Sequence, residues 1–133
     1  LELLRLYTYL YQDSDKNYSI VHDLGGYDEI SLTNTVKIVS NKSEVLFSAE
    51  DLGLKNNTQE AIFGGNTVAE ASKIFKTIIA GQGTEAQNNV VCANAGLAIA
   101  TAKQLTHIEG YELAKEALVS GKANECLTKL IAL

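Results

Sequence analysis

Tyr18-Ser19-Ile20-Val21-His22-Asp23-Leu24-Gly25-Gly26-Tyr27-Asp28-Glu29-Ile30-Ser31-Leu32-Thr33 joins a run of strand-forming residues to a glycine loop. Tyr18 to Val21 predicts a short buried strand, and Asp23-Leu24-Gly25-Gly26 predicts a turn directly after it. A strand that opens into such a loop is the building unit of an α/β domain, where ligands collect beyond the carboxyl ends of the strands. Asp28 and Glu29 set two carboxylates side by side in this loop, where they repel each other. Such a pair is stable when solvated or when it meets a cation. Its hard oxygens suit Mg²⁺, which takes one or two carboxylates and fills its other positions with water and substrate phosphates. On spacing alone the pair reads first as an acidic surface turn, and a metal site is the less common of the two. His22 has the chemistry of a general base or a metal ligand. A lone histidine at a strand end is more often a hydrogen-bonded structural residue.

Upstream, Leu1 opens an amphipathic segment in which Leu3, Leu4, Tyr7, Leu10 and Tyr11 share one helical face. Downstream, Thr35 to Ser40 and Glu44 to Ser48 are rich in β-branched and aromatic residues, and Asn41-Lys42-Ser43 between them predicts an antiparallel hairpin. A loop through Asp51-Leu52-Gly53-Leu54 follows. From Asn66 onward the pattern is helical. Thr67 with Glu70, Thr84 with Gln87, and Thr106 with Glu109 have capping-box spacing, and Gly81 and Gly121 stand where helix stops belong. Val68, Ala71, Phe75, Ile78 and Ile79 form one apolar face. Tyr111, Ala114, Ala117 and Leu118 form a second, and Cys126, Leu127, Leu130 and Ile131 a third. The segment from Glu85 to Lys103 is apolar on most sides and predicts the buried helix, with Asn94 a polar contact between elements inside it. Gly64-Gly65 and Gly81-Gln82-Gly83 lack the strand-then-helix setting of phosphate loops and read as a turn and a helix stop.

Composition bounds the partners. The 133 residues carry a net charge of −5, and the eleven Lys and Arg residues are scattered, which argues against nucleic acid. No apolar run approaches the roughly 20 residues of a membrane span. Cys92 and Cys126 lie far apart on apolar helical faces, so both read as buried free thiols of a reducing, cytoplasmic compartment. The chain contains no Met. The expectation is therefore that it is a piece of a longer protein.

The run from His22 to Thr33 resembles the His-Gly-x-x-Gly-Leu-Asp-Glu-Ile-Ser-x-Thr signature of the anthranilate phosphoribosyltransferases. Glu50-Asp51-Leu52-Gly53-Leu54 is similar to their Pro-Glu-Asp-Phe-Gly-Leu, and Asn89-Val90-Val91-Cys92-Ala93-Asn94-Ala95 to their Asp-Ile-Val-x-x-Asn-Ala helix. Gly110 to Ala114 and Ser120 to Ala123 resemble their terminal Gly-x-x-x-Ala and Ser-Gly-x-Ala. The matches run in family order over nearly the whole chain, and only the first is specific by itself. Asp23 departs from the family's usual Gly, Tyr27 from its Leu, and the Pro before Glu50 is missing.

The resemblance implies the C-terminal part of a phosphoribosyltransferase α/β domain of the nucleoside-phosphorylase-like type, holding a strand, a β-hairpin and four to five helices. It implies that residues 1–133 are a C-terminal fragment of a single α/β catalytic domain, inactive alone. The N-terminal helical domain and the first part of the α/β domain, with the pyrophosphate loop and the anthranilate contacts, would lie elsewhere. It implies transfer of the phosphoribosyl group of phosphoribosyl pyrophosphate to anthranilate in tryptophan biosynthesis, by a cytoplasmic homodimer that uses neither nucleic acid nor membrane. It implies that Asp28 and Glu29 hold Mg²⁺ against the pyrophosphate. Two other functions compete: a catalytically silent nucleic-acid-binding paralogue and a pyrimidine nucleoside phosphorylase. The charge balance and the Asp28-Glu29 pair oppose the first, and the Gly-Tyr-Asp-Glu-Ile-Ser stretch opposes the second.

Overall fold

The computed structural model describes residues 2–133, so Leu1, read as opening the first helix, lies outside the described residues. The elements run α1 (Glu2–Tyr11), β1 (Ser19–Asp23), β2 (Val36–Ser40), β3 (Glu44–Phe47), α2 (Val68–Ile79), α3 (Glu85–Lys103), α4 (His107–Val119) and α5 (Lys122–Ile131), with short 3-10 turns at Ala49–Leu52 and Glu60–Ile62. This is the expected mixture of a strand, a hairpin and five helices.

The three strands form one antiparallel sheet in the order β1-β2-β3. Ile20 pairs with Val39 and Asp23 with Val36, and Val36 in turn pairs with Phe47. The expectation of a buried strand at Tyr18 to Val21 needs correction in two respects. β1 begins and ends later, and its first four residues are only half-buried. The reason is its place in the sheet: the chain turns straight back from β1 into β2 with no helix between, and β1 is left as an edge strand of an antiparallel sheet, not enclosed on both sides.

Val36 and Ile38 point to one face of β2 and enter a core with Ile30, Leu32, Phe47, Leu52, Cys92, Ala93, Tyr111, Ala114 and Leu118. Val39, on the opposite face by alternation, is buried too, on a strand against which α1 rests. α3 and α4 make the tightest helix pair. Their backbones meet at Gly96 and Gly110, where a Cβ on Gly96 would lie 2.6 Å from the Tyr111 backbone.

The caps behave as read for α3 and α4, whose Thr84–Gln87 and Thr106–Glu109 boxes are both reciprocal. At α2 the Thr67 side chain accepts from the Glu70 amide, but the Glu70 carboxylate accepts from Asn66 N–H. The Tyr111 face of α4 is buried as expected. The faces of α2 and α5 are not: Val68 is 88% exposed and Ile131 74%. Cys126 is exposed as well, contrary to its reading as a buried thiol, because it sits on that open face of α5. Cys92 is buried as read, and burial pushes its thiol pKa up.

Candidate functional site

β1 ends at Asp23, and the chain leaves it through the turn that Gly25 and Gly26 permit. Gly26 has φ +97°, in the left-handed region where glycine pays no steric penalty. The Asp23 side chain is almost fully buried, at 1% exposure. Its Oδ1 accepts from Gly25 N–H at 2.7 Å, the local bond that makes an Asx turn. Its Oδ2 accepts from Ser31 N–H at 3.3 Å and from the Ser31 hydroxyl at 2.5 Å. Ser31 Oγ also lies 2.8 Å from Thr33 Oγ1 and accepts from Thr33 N–H at 3.1 Å. A buried polar group is tolerated when it is hydrogen-bonded, and this one is bonded on both oxygens.

The far end of the loop is held from α3. Asn94 Oδ1 accepts from Ile30 N–H at 3.0 Å, and its Nδ2 donates to Ile30 O at 2.8 Å and to Val90 O at 2.9 Å. Ile30 itself is fully buried. Leu32, two residues on, has φ 57° although it is not glycine, and its side chain is buried in the core. Its carbonyl accepts from Asn57 N–H at 2.8 Å. A left-handed leucine costs on the order of 1–2 kcal/mol and persists where its surroundings over-determine it.

Between these anchors Asp28 and Glu29 stand exposed on the loop just beyond β1. Among the described residues neither carboxylate has an ion-pair partner. No cluster of three or more His, Cys, Asp or Glu side chains forms among the described residues. Two carboxylates do not make an all-protein cage, and a cation held by them would need water or ligand oxygens to complete its shell. His22 is half-buried on β1 opposite Lys37, within the strand and not on the loop that carries the carboxylates. Gly64 and Tyr27 line one shallow hollow together with Gln59, Glu60, Ile62 and Phe63. Gly65 precedes α2 without a preceding strand, in keeping with a turn.

The exposed place of Asp28 and Glu29 beyond β1 and the contact made by Asn94 between elements are both as expected from the sequence. Asp23 as the residue that closes the loop is not among those expectations. A signal was present: an Asp two residues before a Gly at a strand end favours an Asx turn. The bond to Ser31, eight positions away, has no such local signature.

Residues 2–124 match the family model described as "Glycosyl transferase family, a/b domain". The chain is 56% identical over 130 residues to the anthranilate phosphoribosyltransferase of Flavobacterium psychrophilum, an alignment that covers 98% of this chain and 39% of that protein. It is 45% identical to the same enzyme of Bacteroides fragilis, covering 100% of this chain and 40% of that one. The chain thus spans about two-fifths of the length of the curated relatives it matches. Among solved structures, anthranilate phosphoribosyltransferase from Thermus thermophilus superposes with a TM-score of 0.76 at 28% identity, over 86% of this chain and 34% of that one. The Saccharomyces cerevisiae enzyme in complex with PRPP and Mg superposes at 0.69 and 18% identity, over 83% and 32%. At that identity the second likeness speaks to the fold alone. No helix among the described residues is long and apolar enough to cross a membrane.

Proposed function

The chain belongs to the glycosyl transferase family, matching the model of its a/b domain, and from that premise we propose that the protein carrying it transfers the phosphoribosyl group of phosphoribosyl pyrophosphate to anthranilate. The products are phosphoribosyl-anthranilate and pyrophosphate. In this reading residues 1–133 are the C-terminal part of the α/β domain of a cytoplasmic homodimer. The residues that cradle pyrophosphate and contact anthranilate belong to other parts of that protein, so the segment alone is inactive.

The observation that carries the reading is the Asp28-Glu29 pair, exposed on a loop anchored at both ends, in a chain more than half identical to an anthranilate phosphoribosyltransferase. In this role Asp28 and Glu29 hold a Mg²⁺ from the protein side. When bound, the ion supplies positive charge that offsets the negative charge developing on the departing pyrophosphate. The two side chains are suited to this because they are exposed and have no ion pair among the described residues to lose when they take up a cation. Asp23 and Asn94 keep the backbone beneath them fixed, so that less reorganisation is needed on binding.

The test is made in the intact protein. Asp28→Asn and Glu29→Gln should each lower kcat by at least about 100-fold, as loss of a group that stabilises transition-state charge does. The thermal midpoint should stay within about 2 °C of wild type, since both side chains are exposed. Wild-type turnover in both variants would remove the metal role.

A further inference from the structure

We propose that Asp23 is the positioning residue of the Asp28-Glu29 pair, its buried carboxylate tying Gly25 to Ser31 so that the loop between them presents the pair in one fixed arrangement. The inference rests on the metal-holding role given above to Asp28 and Glu29. Both Asp23 oxygens are in use. Oδ1 takes the Gly25 amide at 2.7 Å, before the pair, and Oδ2 takes the Ser31 amide at 3.3 Å and hydroxyl at 2.5 Å, after it. The two carboxylates lie between these tie points and have no ion pair of their own among the described residues. With no ion pair to orient them, their direction follows the backbone that carries them.

The tie also explains local sequence. A Cβ at Gly25 would lie 3.0 Å from Asp23 Oδ1 and would run into the Asn34 side chain, so the approach of the Gly25 amide to the carboxylate is closest with glycine. Ser31 is 3% exposed and faces inward, donating to Asp23 and accepting from Thr33 N–H. A hydroxyl in that position does what an apolar residue cannot. Asp23 itself contributes no exposed atom to the site, so it acts through the backbone and touches no substrate.

The variants are Asp23→Asn and Ser31→Ala, made in the intact protein. Asn has nearly the shape of Asp, but it offers one acceptor where Asp offers two and sets an amide against the Ser31 or Gly25 N–H. Ser31→Ala keeps both amide bonds and removes only the hydroxyl, so it remains informative should Asp23→Asn fold poorly. The first readout is amide hydrogen exchange over residues 24–31 without added metal, which should speed up in both variants, more in Asp23→Asn. The second is the Mg²⁺ concentration for half-maximal rate. It should rise by about tenfold or more in Asp23→Asn and less in Ser31→Ala, the range found when a group that orients a metal ligand is lost. At saturating Mg²⁺ kcat should recover most of its value. Faster exchange with an unchanged Mg²⁺ requirement in both variants would make Asp23 merely structural and overturn the proposal. Asp28→Asn run alongside separates the two readings. An unchanged Mg²⁺ requirement there overturns the metal role and the positioning role together. A changed one there, with none in Asp23→Asn, overturns positioning alone.

Discussion

Asn94 binds Ile30 through both of its backbone groups, accepting from the N–H at 3.0 Å and donating to the carbonyl at 2.8 Å. The amide side chain on α3 imitates a neighbouring strand and so docks the end of the site loop onto the helix. Its second donor hydrogen goes to Val90 O, one turn earlier on α3. One side chain thus meets three backbone groups, two of which belong to a buried residue.

Asn94→Ala should therefore lower unfolding free energy by about 1–3 kcal/mol, the cost of leaving buried backbone groups without partners. Asn94→Asp should do no better, because a carboxylate brings lone pairs to the Ile30 carbonyl where Asn brings a donor. Urea unfolding of the intact protein gives both values. A loss within experimental error for both would mean that water replaces the amide at no cost.

The α3–α4 contact predicts a reversal of the usual effect of glycine in helices. Alanine for glycine in a helix ordinarily adds about 0.5–1 kcal/mol. At Gly110 the new Cβ would fall on the Gly96 carbonyl, with the Gly96 carbonyl carbon only 2.9 Å away. Those are backbone atoms, which cannot swing aside as a side-chain tip does. Gly110→Ala and Gly96→Ala should each lower the melting temperature, and scanning calorimetry that found either variant stabilised would show that the two helices separate easily.

His107 gives a pH dependence whose direction follows from its surroundings. Its Nε2 lies 2.8 Å from Ala93 O and so carries the proton of the neutral ring, which packs tilted against Phe47 with ring centroids 4.4 Å apart. Nδ1 is buried with no partner. Burial pulls the pKa below its ordinary 6.5, and the bond to Ala93 and the charge of Asp51 only partly oppose it. Below 6.5 the unfolded chain takes up a proton that the folded chain refuses. Stability contributed by the neutral ring is whole above that pH and falls as pH drops through the folded value. Glu109, held low by its bonds to Thr106, acts on the acid side of 4.5 and leaves this window alone. His107→Gln should flatten the difference in urea midpoint between about pH 7.5 and pH 5.5. A wild-type slope in that variant would assign the dependence to another group.

How far the sequence could be read depended on whether the deciding interaction was local. Thr84 with Gln87 and Thr106 with Glu109 act within one helical turn, and both caps stand as expected. The Asn41-Lys42-Ser43 turn does the same for the hairpin. Asp28 and Glu29 were legible as an exposed pair because a glycine turn precedes them. By contrast, the left-handed Leu32 has little local cause beyond the Thr33 N–H that Ser31 Oγ accepts across it. Its φ of 57° is imposed by Ser31 bonded to Asp23 on one side and by Asn57 N–H on its carbonyl on the other. Periodicity also told which face of α2 and α5 is apolar, but period alone says nothing of what lies against that face.

Those faces lead to the last prediction, which concerns the 133-residue chain by itself. Val68 is 88% exposed and Phe75 52% on α2, Leu130 65% and Ile131 74% on α5, and Leu3 69% on α1. β1 and β3 each pair with β2 alone among the described residues, so the sheet has two edges able to accept a further strand. Val45 and Leu46 on β3 are themselves exposed, at 44% and 67%. Exposed apolar faces and open strand edges both favour association. The chain expressed alone should sediment as a species larger than a monomer. Val68→Lys with Phe75→Lys should shift it toward smaller species by placing charge on the open face of α2. A monomer at high concentration that unfolds in one cooperative step would show that the core formed by the sheet, α3 and α4 is sufficient, and that the open faces are compatible with solution.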